Sequence, residues 1–290
     1  MTKNKVTSTN PLANTNANLH TSANTRAGNN THRQLTHFYG HQVRILNDVF
    51  LSSILARLCS PEVFQPKINN LVETLYTSLI NEVIRCEFST LSLKHPTRMT
   101  ASHPTCFLEL EQINPQQKTI CVNIARAGTW PSHICYHNLH QVIDAPLIRQ
   151  DHIFASRMTD DQEQVTGSEF GGMKIGGDKQ DAIVLFPDPM GATGNTILSA
   201  LDWYKNKVAG KVKKFIALHL IVTPEYLRTV TSRHPDLIIY SLRLDRGLSD
   251  SQILETVPGT HWDLEKGLNS KQYIVPGGGG FGEIMNNSFV

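Results

Sequence analysis

The stretch FPDPMGATGNTI, residues 186–197, combines an acidic side chain with closely spaced small residues, a pattern suited to a phosphorylated ligand. It follows the apolar run IVLF and precedes a sequence of helical character. Small residues let the backbone wrap around an anion, and the first turn of the next helix offers N–H groups and the positive end of its dipole. Asp188 is placed to hold vicinal hydroxyls. The stretch therefore predicts a site for a sugar phosphate, with the acid on the ribose and the loop on its 5-phosphate.

This loop differs from the two commonest nucleotide-binding patterns. The GxxxxGK[ST] motif is absent, and the acid precedes the glycines instead of following them by about 20 residues. The structural alternative is a Pro-rich turn in which Asp188 only caps the next helix. The Ala-Thr-Gly that follows favours phosphate binding over that alternative.

A second candidate for chemistry is the stretch SHICYHNLH, which places His133, His137 and His140 at helical spacing. Three imidazoles on one helix face could bind a metal ion. No carboxylate or cysteine completes the set on that face, so a polar stripe is favoured and no protein-held metal is predicted. No GxSxG motif is present, which leaves covalent hydrolase chemistry without support.

Composition sets the limits for the whole chain. Its 290 residues carry a net charge of +2 and are 40% apolar, which favours one substantial domain and predicts no nucleic-acid or membrane partner. No stretch approaches the roughly 18 apolar residues of a membrane span. The cysteines form no CxxC pair and no signal-peptide core precedes them, so a reduced, cytoplasmic location is expected. They are Cys59, Cys86, Cys106, Cys121 and Cys135.

The elements that must position these residues are indicated by apolar periodicity. Four short apolar runs are each followed by Gly, Pro or Thr, or directly by a helix-compatible segment: KTICVNI, DAIVLF, KKFIALHLIV and DLIIYSL. This alternation predicts an α/β fold with a parallel sheet flanked by helices. Two amphipathic helices, at residues 41–58 and 67–88, should precede the sheet. Residues 1–35, rich in Asn and Thr, predict a disordered N-terminal tail, with an arm folded onto a partner subunit as the alternative.

Three motifs together resemble one family. DPMGATGNT is similar to the phosphoribosyl diphosphate (PRPP) loop of the uracil phosphoribosyltransferases, usually Asp-Pro-Met-x-Ala-Thr-Gly-Gly-Ser. VNIARAG, residues 122–128, resembles the family's strand ending in Arg-Ala-Gly, and YIVPGGGGFGE, residues 273–283, resembles its uracil loop. The resemblance covers about residues 40–290 and implies a phosphoribosyltransferase-like domain over residues 36–290.

The resemblance implies a set of PRPP-binding residues. Arg126 and Arg149 would bind the diphosphate, because an arginine fork suits its oxygens. Asp188 would hold the ribose hydroxyls, and Arg126 and Asp188 would be the catalytic residues. Asn195 stands where the family has Gly and would have to adopt its backbone geometry. The rest of the PRPP site would be Pro189, Met190, Gly191, Ala192, Thr193, Gly194, Asn195 and Thr196.

The same resemblance implies a base site. Ile274 beside Tyr273 would offer its backbone to uracil, and Gly279 with Phe281 would complete the pocket. The chain departs from the family here, because Gly280 stands in place of an Asp and Glu283 in place of another. These changes put the identity of the base, or turnover itself, in question. An unordered glycine linker is the structural alternative.

Two further segments are interpreted from their position. Residues 150–180, polar and Gly-rich, resemble the flap that phosphoribosyltransferases close over the reacting bond, with a solvated loop as the alternative. Residues 245–265 are interpreted as an insertion near the base pocket, serving as a lid or a subunit contact.

The predicted function is phosphoribosyl transfer from PRPP to uracil, giving UMP and pyrophosphate. The cofactor would be Mg²⁺ bound through PRPP, and the partners would be PRPP and a pyrimidine base, with a homo-oligomer and a GTP-type effector also implied. The alternatives are a regulator that senses PRPP or a nucleotide without turnover, including one that binds RNA, and a phosphoribosyltransferase with another acceptor base. No basic patch with interleaved aromatics supports RNA binding.

Overall fold

The computed structural model describes residues 34–159 and 165–289 of the chain. The predicted tail, residues 1–35, lies outside this range except for its last two residues. Gln34 forms an isolated β-bridge to Leu46, and the Leu35 amide donates to the Ile45 carbonyl at 2.8 Å. The tail itself stays a prediction, and its last two residues belong to the described structure.

Ten strands and seven helices form the described part of the chain. The strands are β1 (Val43–Ile45), β2 (Thr90–His95), β3 (Leu108–Ile113), β4 (Thr119–Ala125), β5 (Ile148–Thr159), β6 (Val165–Lys174), β7 (Ile183–Pro187), β8 (Met190–Gly191), β9 (Lys214–Val222) and β10 (Leu237–Leu244). The helices are α1 (Val49–Leu58), α2 (Lys67–Glu87), α3 (Thr129–Leu139), α4 (Asn195–Lys207), α5 (Pro224–Arg233), α6 (Ser251–Leu254) and α7 (Phe281–Ile284).

The central sheet has the order β1-β10-β9-β7-β4-β5-β6, and β8 also pairs with β9. All its pairings are parallel except β5 with β6. β2 and β3 form a separate antiparallel pair. The four strands predicted from apolar runs are β4, β7, β9 and β10, so the α/β prediction is confirmed.

Helices cover both faces of the sheet, which explains why the strands are continuous apolar runs. In β7, Leu185 belongs to the core cluster on the side of α1, α2 and α3. Its neighbour Phe186 belongs to the cluster on the side of α4 and α5. Because successive side chains point to opposite faces, both must be apolar.

The N-terminal helix prediction, residues 41–58, is wrong in its first part. Val43–Ile45 is strand β1, paired in parallel with β10 at the sheet edge. Helix α1 begins after Asp48, whose side chain accepts the Leu51 amide at 3.0 Å as an N-cap. A strand this short depends on a partner distant in sequence, which local periodicity cannot show. The second helix, α2, is confirmed.

The segment interpreted as a flap is largely a β-hairpin. β5 and β6 pair in antiparallel fashion from His152 and Lys174 to Thr159 and Val165, with two register shifts. Residues 160–164, between the two strands, lie outside the described residues. The hairpin extends from the edge of the sheet next to β4, and its role as a flap stays a prediction.

The segment interpreted as an insertion is held together by one arginine. The Arg246 guanidinium donates to the carbonyls of Ile253, Leu254 and Thr256 at 3.1, 3.0 and 2.7 Å. It also donates to the buried Glu265 carboxylate at 2.9 Å. The segment follows β10 and therefore lies at the carboxyl end of the sheet.

No helix in the two described ranges combines the length and the apolar character needed to cross a bilayer. All five cysteines are free thiols, and Cys121 and Cys135 are buried.

Candidate active site

The carboxyl ends of β4 and β7 bring the first two motifs together. The strands are neighbours in register from Thr119 and Ile183 onward, so β4 leads into Arg126 and β7 leads into Asp188. Gly128 permits the close approach. A Cβ at this residue would lie 2.7 Å from the Ile124 carbonyl oxygen and 2.9 Å from that of Pro187.

The third motif reaches the same point from the C-terminal end of the chain. A Cβ on Gly282 would lie 3.7 Å from the Ala127 Cβ, which is ordinary van der Waals contact. One residue later, the Glu283 carboxylate lies 3.8 Å from an Arg126 terminal nitrogen. Three motifs that are far apart in sequence therefore share one corner of the sheet.

The predicted phosphate loop, residues 188–196, connects β7 to α4. Met190 and Gly191 form β8 against β9, and the Pro189 carbonyl accepts from the Leu220 and Ile221 amides at 3.0 and 3.1 Å. Gly194 is the N-cap of α4 with φ of 90°, a left-handed conformation that favours glycine. Gly194 itself has no side chain to cap the helix, so it makes no side-chain capping hydrogen bond.

The remaining residues of the loop follow its turn into α4. Ala192 has its carbonyl bound by the Thr223 hydroxyl at 2.7 Å. The Thr193 hydroxyl lies 3.5 Å from the Asn195 amide. Asn195 is the first residue of α4 and has a negative φ, so this position needs no glycine. Thr196 is the second residue of that helix and is half-buried.

Asp188 is half-buried at the end of β7, with its backbone held by β9. Its amide donates to the Leu218 carbonyl at 3.0 Å, and its carbonyl accepts from the His219 ring at 2.6 Å. One carboxylate oxygen accepts the Met190 amide at 3.3 Å. This contact turns the carboxylate toward the loop.

Arg126 is the first residue beyond β4, with 40% of its side chain exposed. One terminal nitrogen donates to both the carbonyl and the hydroxyl oxygen of Ser288, each at 3.0 Å. The guanidinium therefore lies between the C-terminal segment and the carboxyl edge of the sheet. A ligand that carries negative charge could replace these contacts.

Arg149 is not part of this site, so its predicted role is wrong. It pairs with Ile120 near the start of β4, so it lies at the amino ends of the strands, opposite to the candidate site. Its guanidinium binds Asp151 at 3.1 Å and the Gly177 carbonyl at 3.0 Å. The local sequence shows an arginine between the two motifs but does not show its register along β5, and the register places Arg149 far from the carboxyl end of the strand.

Ala125, the last residue of β4, pairs with Phe154, so β5 continues beyond the carboxyl end of β4. The polar composition of this segment hid the length of β5 in the sequence.

The glycine loop is ordered and is fixed at Gly277. The Gly277 amide donates to Asp245 at 2.8 Å, and its carbonyl accepts from Arg243 at 2.8 Å. Arg243 and Asp245 also form a bidentate ion pair at 2.6 and 2.7 Å. Arg243 lies near the end of β10 and Asp245 directly follows the strand, and neither belongs to a recognisable motif, so the sequence did not indicate this clamp.

The predicted base residues divide into two groups. Ile274 is buried and forms a β-bridge with Leu268, whereas Tyr273 is exposed. Gly279, with φ of 83°, has open space where a Cβ would stand. Phe281 was predicted to complete the pocket, but its ring is 1% exposed and lies in the core. It anchors the loop instead of facing a ligand, because a phenyl ring is stabilised by burial in the core.

Comparison with known proteins gives the family. A model of the family described as uracil phosphoribosyltransferase matches residues 45–261, which is most of the chain. The chain belongs to the uracil phosphoribosyltransferase family. This match includes the strand motif at residues 122–128 and the whole phosphate loop.

Two curated relatives of this family agree over shorter segments. A uracil phosphoribosyltransferase of Thermosipho africanus (strain TCF52B) is 38% identical over 106 residues, 37% of this chain and 40% of that protein. One of Campylobacter fetus subsp. fetus (strain 82-40) is 31% identical over 126 residues, 43% of this chain and 49% of that protein. The matched segments thus span less than half of either relative.

The fold also has a counterpart among solved structures. The AQ2163 protein from Aquifex aeolicus superposes with a TM-score of 0.61 at 19% identity, covering 84% of this chain and 97% of that one. At this identity the likeness concerns the fold alone.

Gly280, where the resemblance implies an Asp, lies against the Glu283 side chain. A Cβ on Gly280 would lie 1.7 Å from an oxygen of the Glu283 carboxylate. Glu283 therefore fills the space into which a side chain at position 280 would project.

The histidine stripe lies on α3, with His133, His137 and His140 exposed. The His133 ring stacks on Trp130 at 5.7 Å between centroids, and the His140 ring packs edge-on against Tyr136 at 4.5 Å. Among the residues that the structure describes, no three His, Cys, Asp or Glu side chains form a metal-binding group.

Proposed function

We propose that this protein transfers the phosphoribosyl group of PRPP to uracil, giving UMP and pyrophosphate. The observation that supports this most directly is the junction of β4 and β7. There, Asp188 with its phosphate loop and Arg126 meet the glycine loop of a uracil phosphoribosyltransferase family member.

Each part of PRPP has a chemically suitable partner in this arrangement. The Asp188 carboxylate binds the two ribose hydroxyls, which are hydrogen-bond donors. The 5-phosphate lies against the loop of residues 191–196 and the N-terminus of α4, where backbone N–H groups and the helix dipole favour an anion. Arg126 binds the diphosphate in place of Ser288 and Glu283.

The reaction requires charge stabilisation more than covalent chemistry. As the bond from the ribose to pyrophosphate lengthens, negative charge grows on the leaving group and positive charge on the sugar. Arg126 stabilises the leaving group, Asp188 fixes the sugar, and Glu283 supplies negative charge nearby. Magnesium, bound through PRPP oxygens, adds charge neutralisation of the diphosphate when present. Asp188 offers one carboxylate to such an ion, too few ligands for the protein to hold it alone, and this fits a metal that its substrate carries in.

The base is read by the glycine loop. We propose that the Ile274 backbone and the open space at Gly279 form the uracil site, because backbone donors and acceptors can match the two carbonyls and the N–H of the base. The Arg243–Asp245 clamp on Gly277 reduces the entropy that the loop would lose on binding. The hairpin of β5 and β6 is the proposed flap.

A homo-oligomer is also proposed, supported by the β2–β3 pair. Leu93 lies opposite Leu110, and Leu110 and Leu108 are exposed on the same face of this two-stranded sheet. A two-stranded sheet with an uncovered apolar face is marginal by itself, and a second copy would bury it.

The function is tested by pyrophosphate release from PRPP with a panel of bases, and by calorimetry of PRPP binding with magnesium. Uracil-dependent release is expected. The double variant Asp188→Asn, Arg126→Ala should bind PRPP at least about 100-fold more weakly, since two charge-assisted contacts are lost. Arg149→Gln is the control, because Arg149 lies at the amino ends of the strands. This variant should bind PRPP with the affinity of the wild type.

The same assay separates the alternatives. PRPP binding without release for any base would favour a regulator, and release with another base would favour a different acceptor. Unchanged PRPP affinity in the double variant would show that the phosphate site is misassigned. The Glu283 carboxylate weakens the case for a regulator, because the loss of a carboxylate at Gly280 was its main argument.

A further inference from the structure

A buried histidine stands directly behind the candidate sugar site. His219 lies on β9 and is completely buried. One of its ring nitrogens, Nδ1, lies 2.6 Å from the Asp188 carbonyl oxygen, and the other, Nε2, lies 2.6 Å from the Tyr226 hydroxyl. A buried polar ring in an otherwise apolar strand requires both hydrogen bonds to be satisfied.

The partners determine the hydrogen positions of the ring. The Asp188 carbonyl can only accept, so Nδ1 carries the hydrogen and Nε2 accepts from the Tyr226 hydroxyl. Burial lowers the pKa of His219 from 6.5 to about 4, which keeps the ring neutral at physiological pH. The Tyr226 pKa is raised by its own burial, so its hydroxyl stays a donor.

The His219 imidazole binds the Asp188 carbonyl, which accepts no backbone amide of β9. β7 ends at Pro187, and the next two backbone donors of β9 in this region, Leu220 and Ile221, both go to the Pro189 carbonyl. The Asp188 carbonyl is left between them and is bound by the side chain of His219. Both backbone polar groups of Asp188 are therefore held by β9.

Tyr226 connects this contact to the phosphate loop. A Cβ on Gly191 would lie 3.2 Å from its ring, and one on Gly194 would lie 3.5 Å from it. The ring thus packs under both glycines while its hydroxyl binds His219. The two residues link the backbone of the sugar-binding acid to the loop that binds the 5-phosphate.

We propose that His219 and Tyr226 are positioning residues that set the distance between the Asp188 carboxylate and the phosphate loop. This inference rests on the proposed function, because that distance matters only for a ligand that carries both a ribose and a 5-phosphate. Neither side chain touches the ligand. Their effect is on PRPP affinity and not on the base.

The test compares two isosteric variants, His219→Leu and His219→Asn. Asn keeps an N–H close to the position of Nδ1, whereas Leu cannot donate. His219→Leu should weaken PRPP binding about tenfold, the size of one hydrogen bond, and His219→Asn by less than about threefold. The KM for uracil at saturating PRPP should not change. Tyr226→Phe, which keeps the ring under the glycines, should weaken PRPP binding about threefold.

A control distinguishes positioning from general stability. His234, another buried histidine, contacts Asp202 at 3.1 Å after α5, away from the loop. His234→Leu should lower the melting temperature without changing PRPP affinity. Equal PRPP affinity in wild type and His219→Leu, or equal losses in the Leu and Asn variants, would overturn the inference. Absence of PRPP binding in the wild type would instead overturn the proposed function.

Discussion

At the scale of single residues, the Glu283 carboxylate occupies the space beside Gly280 and lies 3.8 Å from an Arg126 terminal nitrogen. A partly exposed ion pair of this length contributes little to stability. In the proposed reaction, its role is to place negative charge near the positive charge that grows on the sugar.

Glu283→Gln should therefore lower turnover with uracil by about tenfold or more, since one preorganised charge is often worth a few kcal/mol in the transition state. The variant keeps the size of the side chain, so folding should be unaffected. Steady-state kinetics with PRPP and uracil measure the effect. Equal turnover in wild type and variant would contradict the role of this carboxylate.

Gly280→Asp alone should give no gain, because its side chain would collide with the existing carboxylate. In combination with Glu283→Gly, which removes the colliding side chain, the new carboxylate should restore part of the turnover that Glu283→Gly alone loses. A gain from Gly280→Asp in the presence of Glu283 would show that the two positions act independently.

His219 predicts a pH dependence of stability. Its folded pKa of about 4 lies below the ordinary value of 6.5, so the unfolded chain takes up a proton first as the pH falls. The free energy of unfolding should therefore be unaffected above pH 6.5 and fall by up to about 3 kcal/mol between pH 6.5 and 4. Urea unfolding of wild type and His219→Leu should show this difference in slope. Parallel curves would contradict it.

The sequence predicted the site residues that belong to motifs and failed where a role depended on distant partners. Arg126, Asp188 and the phosphate loop lie at one corner because each motif directly follows its strand, and their roles stay predictions. Arg149 and Phe281 lie elsewhere, since strand register and side-chain direction are set by neighbours that the local sequence does not name.

At the scale of elements, the segment interpreted as an insertion, residues 245–265, is held together by contacts of Arg246. Its pair with Glu265 is buried, with 11% and 0% of the two side chains exposed. Glu265 also accepts the Gly259 amide at 2.8 Å and the Tyr39 hydroxyl. The Glu265 carboxylate thus connects Arg246 and Gly259 of this segment to Tyr39, near the start of the described chain.

Arg246→Met should lower the free energy of unfolding by about 3 kcal/mol or more, because it leaves the buried Glu265 carboxylate without its cation. Denaturant unfolding measures this loss. Arg228→Met is the matched control. Arg228 pairs with Asp263, which is 94% exposed, so this change should cost less than about 1 kcal/mol. Similar losses in both variants would contradict a specific role for Arg246.

The strands that could be predicted from the sequence are those with a continuous apolar run. The buried parallel strands were found because both of their faces must be apolar. β1 was taken for part of a helix because three residues carry no clear period. β5 and β6 were missed because polar residues and glycines interrupt their alternation, and their pairing depends on register across a turn.

At the scale of the whole molecule, one sheet with helices on both faces supports a candidate site at the carboxyl ends of its central strands. The core clusters on the two sides contain the central strands and leave their carboxyl ends for the loops. The family match begins at residue 45, close to the first strand. The first 33 residues therefore precede the segment that the family model matches.

Deletion of residues 1–33 should shift the melting temperature by no more than about 2 °C, because this segment has almost no apolar area to bury. The cut keeps Gln34 and Leu35, which pair with the chain around β1 and should be retained for stability. Thermal unfolding and size-exclusion chromatography of both chains measure the effect, and PRPP affinity should also be unchanged. A loss of many degrees, or a change in the number of subunits, would show that the segment is a structural arm that packs on a neighbouring copy.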